Sequence, residues 1–230
     1  MIFFFTKFFD AEMYANDFIS GKLFANRLSY FRRLKEYEYA NRGDRYEGVI
    51  NWLNPARCQL VIDDRDITAD LAGPVELHLN WHDNFNVFCV YAGHSGDFKK
   101  LTSDNIDSFK KFLKIPEDCL KFGNYAVVVT DVSEFMKRVK TAITTKGYRL
   151  RSDLVKYYNA ETFHGHFDGI DAIFRKRDEY QHQREYRFAI DTLVTGTEPI
   201  NLEIGDISDI TMRCNAADIN KTLEIKLTEQ

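Results

Sequence analysis

Proline is scarce in this chain, four in 230 residues, and glycine is only modestly represented at twelve. Neither gathers into the Pro-rich or Gly/Ser-rich stretches that mark linkers, and no single-charge run interrupts the sequence. That absence argues against domains on a flexible tether. It favours one domain over residues 1–230, a size that mixed sheets reach as a single unit. The four cysteines, Cys58, Cys89, Cys119 and Cys214, stand far apart and form no CxxC pair. Neither a disulfide framework nor a cysteine-ligated zinc is indicated, and Cys89, inside the apolar run 86–91, reads as a buried thiol. No apolar run approaches the roughly eighteen residues needed to span a membrane. The opening Met1-Ile2-Phe3-Phe4-Phe5 lacks a basic flank and a small-residue cleavage site, so the expectation is a cytoplasmic protein with no membrane partner.

Several catalytic signatures are also missing. There is no Walker P-loop, no GxGxxG, no GxSxG and no HExxH, which argues against a Walker-type NTPase, a Rossmann oxidoreductase, an α/β-hydrolase and a zincin protease. The formal net charge of −4 excludes a globally basic, histone-like binder. It leaves room for a local basic cleft, because steering depends on where charge lies.

What the chain has in plenty is aromatic surface, with nineteen Phe and twelve Tyr. At roughly 25 cal/mol per Å² of buried apolar area, such a core needs no metal or disulfide. The spacing predicts a strand over 2–6, a helix over 8–20 ended by Gly21 in a left-handed conformation, and a strand over 22–25. A short helix is predicted over 28–36, with further helices at 103–114 and 132–145, the last capped by Asp131. Strands are predicted at 58–63, 75–79, 86–92, 125–130, 150–158, 198–204 and 222–228, and a short helix at 169–177. Residues 184–190 alternate as a half-buried strand does. Strands outnumber long helices and do not alternate with them regularly, which predicts an α+β fold.

The most informative cluster is Gln183-Arg184-Glu185 at the head of that strand. Two residues apart on an extended chain, Gln183 and Glu185 share a side, while Arg184 and Tyr186 face away. An amide and a carboxylate facing one ligand suit sugar transfer, the carboxylate steadying a cationic sugar centre and the amide orienting the acceptor. The plain alternative is a solvated strand edge. Arg42-Gly-Asp44-Arg45-Tyr-Glu47-Gly48 offers guanidinium forks for a pyrophosphate, or else a surface loop whose acids satisfy its own arginines. Arg27, Tyr30, Arg32 and Arg33 offer stacking and cationic surface, or else a helix with its aromatics in the core. Phe174-Arg175-Lys176-Arg177 is either a basic tract for an anionic acceptor or a solvated helix end. His164 and His166 suggest a shared metal only if a third ligand exists, the basis of a metal-dependent nuclease reading.

Taken in order, the strand ending Phe4-Phe5-Thr6, the helix, Gly21-Lys22-Leu23 and the later Gln183-x-Glu185 resemble ADP-ribosyltransferases of the DarT-like type, with CmdT-like RNA-modifying toxins a nearer parallel. The resemblance implies an ADP-ribosyltransferase-like split sheet, mixed or antiparallel, with peripheral helices. It implies NAD as co-substrate, Glu185 and Gln183 as catalytic pair, and Phe4, Thr6, Arg27, Tyr30, Arg42 and Arg45 around the cofactor. It further implies a nucleic-acid acceptor, RNA ahead of DNA, and an antitoxin partner or an antiphage setting. The first-strand His common in that group is replaced by Phe4, and its middle-strand hydroxyl has only Tyr91 or Ser95 as counterpart. A non-catalytic nucleotide- or partner-binding protein of the same fold is the alternative. On this reading Glu185→Gln abolishes transfer and leaves the fold intact.

Overall fold

The computed structural model describes residues 1–34 and 43–224. The chain opens with β1 (Ile2–Phe9), α1 (Glu12–Ile19), β2 (Lys22–Arg27) and α2 (Leu28–Arg33). A peripheral stretch follows: β3 (Val49–Leu53), the small hairpin β4 (Val61–Ile62) and β5 (Arg65–Asp66), and β6 (Val75–His78). Then come β7 (Phe85–His94), α3 (Ile106–Leu113), α4 (Glu117–Leu120), β8 (Tyr125–Val129), α5 (Val132–Thr145), β9 (Arg149–Leu154) and β10 (Lys156–Tyr158). The remainder is β11 (Gly165–His166), β12 (Arg175–Arg177), β13 (Glu185–Asp191), β14 (Ile200–Glu203), β15 (Thr211–Asn215) and α6 (Ile219–Thr222). The fold is mixed helix and sheet, and every strand pair in its eight-stranded sheet is antiparallel. The one parallel pair among the described residues is the short ribbon β10–β12.

The main sheet branches at its longest strand. Along one edge, β7 pairs with β13 from Phe85 to Tyr91. Along the other, Asn86 and Val87 pair with β2, and Tyr91 to His94 pair with β1. Residues 88–90 therefore have no strand partner on that edge among the described residues, and the sheet forks into an arm β1–β8–β15 and an arm β2–β14. Lys7, where β1 leaves β7, donates from Nζ to the Cys89 carbonyl at 2.6 Å and so satisfies a backbone acceptor in the fork.

Strand alternation assigns the two faces. Phe5, Phe88, Val90, Tyr186, Phe188 and Ile190 form one face, buried under Ala15 and Phe18 of α1 and Phe135, Val139 and Ile143 of α5. Edge-on ring contacts at 6.0–6.2 Å join Phe5, Phe135 and Phe188, and each buried Phe contributes about 1.5–3 kcal/mol. The opposite face carries two apolar clusters, one around Phe4, Phe8, Tyr91 and Val128 under α3, the other around Leu28, Val87, Ile173 and Ala189. Between them the same face is polar.

Two glycines are dictated by close approach. Gly21 sits at φ +90°, and a Cβ there would stand 1.9 Å from the Gly205 carbonyl oxygen, so α1 ends there as expected. Gly21→Ala is expected to lower stability by at least about 2 kcal/mol, read as a reduced urea midpoint. Gly93 opposes Phe4 in the ladder, and the Phe4 ring fills the space a Cβ would take.

Helix α5 has the predicted bounds, with the Asp131 carboxylate accepting from the Glu134 N–H at 2.9 Å. Elsewhere tertiary pairing displaced the expected limits. β1 runs on to Phe9 because β8 pairs with it that far, so α1 starts only at Glu12. Of the strand expected at 58–63 only Val61–Ile62 is paired. The strand expected at 150–158 is interrupted at Val155, whose N–H turns to the Glu185 carbonyl. Residues 169–177 are a 3₁₀ turn followed by β12, not one helix. The C-terminal strand is 211–215, paired to β8, while 219–222 is helical and 223–224 form no strand; residues 225–228 of the expected strand lie outside the described residues. Among the described residues, no helix is long and apolar enough to cross a membrane.

Candidate functional site

A cavity of about 720 Å³ occupies the fork of the sheet, within the range typical of small-molecule sites. Thr6 and Phe8 of β1, Cys89 and Tyr91 of β7, and Phe24 and Asn26 of β2 line it, with Glu47, Lys176, Gln183, Glu185 and Arg187 at its polar end. Glu185 is the first residue of β13 and lies directly across from Tyr91; Arg187 lies across from Cys89. The two share a face because they are two apart on the strand.

Gln183 and Glu185 do meet in this cavity, but not by the expected route. Gln183 ends a 3₁₀ turn, and Arg184 adopts a left-handed conformation (φ 38°, ψ 50°) before the strand begins. What unites the pair is Lys176, whose Nζ donates to Gln183 Oε1 and to Glu185 Oε2, each at 2.9 Å. Arg184 points the other way, over the Phe112 ring. Strand β13 is buried on both faces rather than half-buried, and Arg187 is 1 % exposed.

Four charges thus share one dry place. Arg187 grips Glu47 with both terminal nitrogens at 2.7 and 2.9 Å and donates from Nε to Glu185 Oε1 at 2.6 Å. Lys176 Nζ is also 3.3 Å from Glu47, so its three protons have three partners. Burial alone would push Glu185 up, but Arg187 and Lys176 outweigh it and hold the carboxyl far below the usual carboxylate range. Burial likewise would lower Lys176, yet Glu185 and Glu47 raise it above the ordinary lysine value. The set is two acids and two bases. Burial, with the charge on Glu185, pushes the Cys89 thiol up to about 12, so it is a protonated neighbour that donates to Glu185 and not a nucleophile. Tyr157 accepts the Glu185 backbone N–H at 3.0 Å. Ion pairs of this kind gain little over apolar packing. Their presence beside a cavity reads better as a preorganised field than as a stabilising device.

The other expected residues divide. Thr6 lines the cavity, 1 % exposed, and its Oγ1 has no hydrogen-bond partner among the described residues. Tyr30 also lines it. Phe4 does not: it is packed in the core, stacked on Tyr91 at 6.5 Å. Arg27 is fully committed elsewhere, its guanidinium donating to the carbonyls of Asn84, Val194 and Glu198. Arg45 is 63 % exposed at the side chain, 3.8 Å from Glu76, and away from the cavity. Arg42 lies outside the described residues. The acids of that segment bind bases from later in the chain: Glu47 takes Arg187, and Asp44 takes Arg177 at 3.3 Å. Ser95 accepts from the chain's N-terminal amine.

The tract 174–177 is not a solvated helix end. Arg175 lies over Phe167, Lys176 is buried and Arg177 pairs with Asp44 and Glu179, so two of its three bases are spent on acids inside the fold. His164 Nδ1 accepts from the Asn54 N–H, and no group of three or more His, Cys, Asp and Glu is gathered for a metal among the described residues. Sequence reasoning placed Glu47 and Lys176 in charged stretches without assigning them to this site, and it missed Arg187. The only local signal for Arg187 was the Glu185-x-Arg187 alternation.

Asp44 is completely buried and its carboxyl is pushed up to about 6, by burial first and then by Glu47. Its folded value lies above the unfolded one near 3.9, so the proton is held more tightly in the fold. Its contribution favours folding at low pH and is lost as pH rises from about 4 to about 6. Asp44→Asn is therefore expected to gain about 2–3 kcal/mol on the wild type at pH 7 and nothing at pH 3.5, measured as the difference between urea midpoints. Comparison of the chain with protein-family models, with curated proteins and with solved structures finds no match.

Proposed function

We propose that this chain is an NAD-consuming ADP-ribosyltransferase of an ADP-ribosyltransferase-like α+β fold, with Glu185 as its catalytic carboxylate and Gln183 beside it. The observation that carries the reading is a carboxylate locked as an anion at the head of a strand, on the wall of a cavity where the sheet forks. Hydrolysis of an ordinary O-glycoside needs a carboxylic acid of raised pKa to protonate the leaving oxygen. Glu185 cannot be that acid. NAD asks for none: when the C1′–N bond breaks, the bonding pair goes to the cationic pyridinium and nicotinamide leaves neutral. The cationic charge left at C1′ is what a fixed anion stabilises. The acceptor then forms a bond to C1′ and gives up its proton to solvent water. Thr6 Oγ1, buried and without a hydrogen-bond partner among the described residues, supplies a donor or acceptor in the same cavity, in the cross-strand row that runs through Tyr91 to Glu185.

The acceptor, a nucleic acid with RNA before DNA, enters from the resemblance alone, as do the antitoxin and the antiphage setting. The purified protein is to be incubated with NAD labelled in the adenylate moiety and with separate RNA, DNA and protein pools. Nicotinamide release with label on RNA is the expected outcome. Label on protein only would overturn the acceptor, and intact NAD would overturn the transferase. One observation favours a second reading, a non-catalytic nucleotide-binding protein: both Glu185 oxygens already accept from Arg187 and Lys176. Binding of NAD without nicotinamide release is its signature.

A further inference from the structure

The arm β2–β14 gives the cavity a second, chemically different wall. Leu23 and Ala25 of β2 point into the core, so strand alternation turns Lys22, Phe24 and Asn26 the other way, and all three line the cavity. Asn201 of β14 is paired across from Phe24, and directly opposed residues of an antiparallel pair share a face. Asn201 also lines the cavity. A ring and two amides therefore sit side by side on one flat surface. Phe24 is 55 % exposed, and Tyr30, 39 % exposed, lines the same cavity.

The amides have capacity left. Asn26 Oδ1 accepts the Arg27 N–H at 3.1 Å, which leaves its NH₂ group to donate. Asn201 makes no side-chain hydrogen bond with any described residue and so offers both a donor and an acceptor. Lys22 is held by Asp17 at 2.9 Å at the rim. A flat apolar ring flanked by amide donors and an amide acceptor matches a purine: the base stacks on the ring, and an Asn side chain pairs in two bonds with the N6/N7 edge of adenine.

We propose that Phe24, Asn26 and Asn201 form an adenine-binding platform on the β2–β14 wall of the cavity. The inference rests on the reading of this cavity as a dinucleotide site, and it names which end of the dinucleotide each wall holds. The adenine lies on the β2–β14 arm, and the bond that breaks lies at the four-charge cluster.

The test is calorimetric titration of the full chain with AMP, with ribose 5-phosphate, and in parallel the assay of nicotinamide release from NAD. AMP is expected to bind and ribose 5-phosphate not, since the sugar phosphate lacks the base. Phe24→Ala is expected to weaken AMP about tenfold or more, and Phe24→Trp to retain it. Asn201→Ala should weaken AMP as well. Because Phe24 points away from the Leu23 and Ala25 core, its variants should fold with unchanged melting temperature. Equal binding of AMP and ribose 5-phosphate, unchanged AMP affinity in Phe24→Ala, or no AMP binding at all would each overturn the platform. Nicotinamide release by the same protein would leave the transferase reading standing in those cases. AMP binding lost in Phe24→Ala, with no nicotinamide released by the wild type, supports the platform and removes the transferase.

Discussion

Replacing Arg187 with Ala is expected to lower the melting temperature by roughly 6–20 °C, the largest stability effect of any single substitution named for this chain. Arg187 is 1 % exposed and holds Glu47 by two bonds and Glu185 by a third. Its removal leaves two buried carboxylates against Lys176 alone. Breaking a buried pair from one side costs about 3–5 kcal/mol because the orphaned charge stays out of water, and about 1 kcal/mol corresponds to roughly 2–4 °C at this chain length. Arg151 supplies the control, because its partner Asp171 and it are both about half exposed, at 44 % and 50 %. Arg151→Ala should change stability by no more than about 1 kcal/mol. Thermal unfolding of both variants decides the matter: equal, small shifts would mean that Arg187 is not desolvated.

Glu185→Gln is expected to reduce nicotinamide release by roughly 100–1000-fold, the usual consequence of removing one well-placed electrostatic stabiliser. The sequence alone suggested that this change leaves the fold intact, and the burial of Glu185 argues otherwise. Glutamine at 185 leaves Lys176 and Arg187 facing Glu47 alone, an uncompensated positive charge at a site 6 % exposed. A loss of activity in this variant would then be open to a trivial cause. The double variant Glu185→Gln, Lys176→Met removes one charge of each sign and keeps the bidentate Arg187–Glu47 pair. It should recover most of the lost stability and none of the activity. Wild-type turnover by a folded double variant would remove Glu185 from the reaction.

The convergence of Gln183 and Glu185 was anticipated from a two-residue spacing, yet the spacing works here through a different geometry. A left-handed Arg184 separates a 3₁₀ turn from the strand, and the meeting point is a lysine seven and nine residues back. Arg27 illustrates the opposite error. A basic residue beside Tyr30 looks like ligand-binding surface, but three backbone carbonyls from distant loops consume its donors. Nothing local announces that, because acceptor carbonyls carry no side-chain signature. Arg45 is likewise arginine in the right stretch, and it lies over the Tyr46 ring near Glu76, largely exposed, while the neighbouring Glu47 turns inward.

Local chemistry in the sequence was enough to determine the elements whose driving force is local. The apolar period and Asp131 cap specify α5, the glycine at 21 ends α1, and the alternation after residue 184 specifies a strand. The count of strands against helices was enough for a mixed fold. The tertiary structure alone decided where the sheet forks, because that depends on which edge of β7 each neighbour claims. It alone brought Glu47 to Arg187 across 140 residues. Ionisation state follows from that meeting, since a buried acid is neutral by itself and charged beside two cations, and no stretch of sequence carries the distance between them.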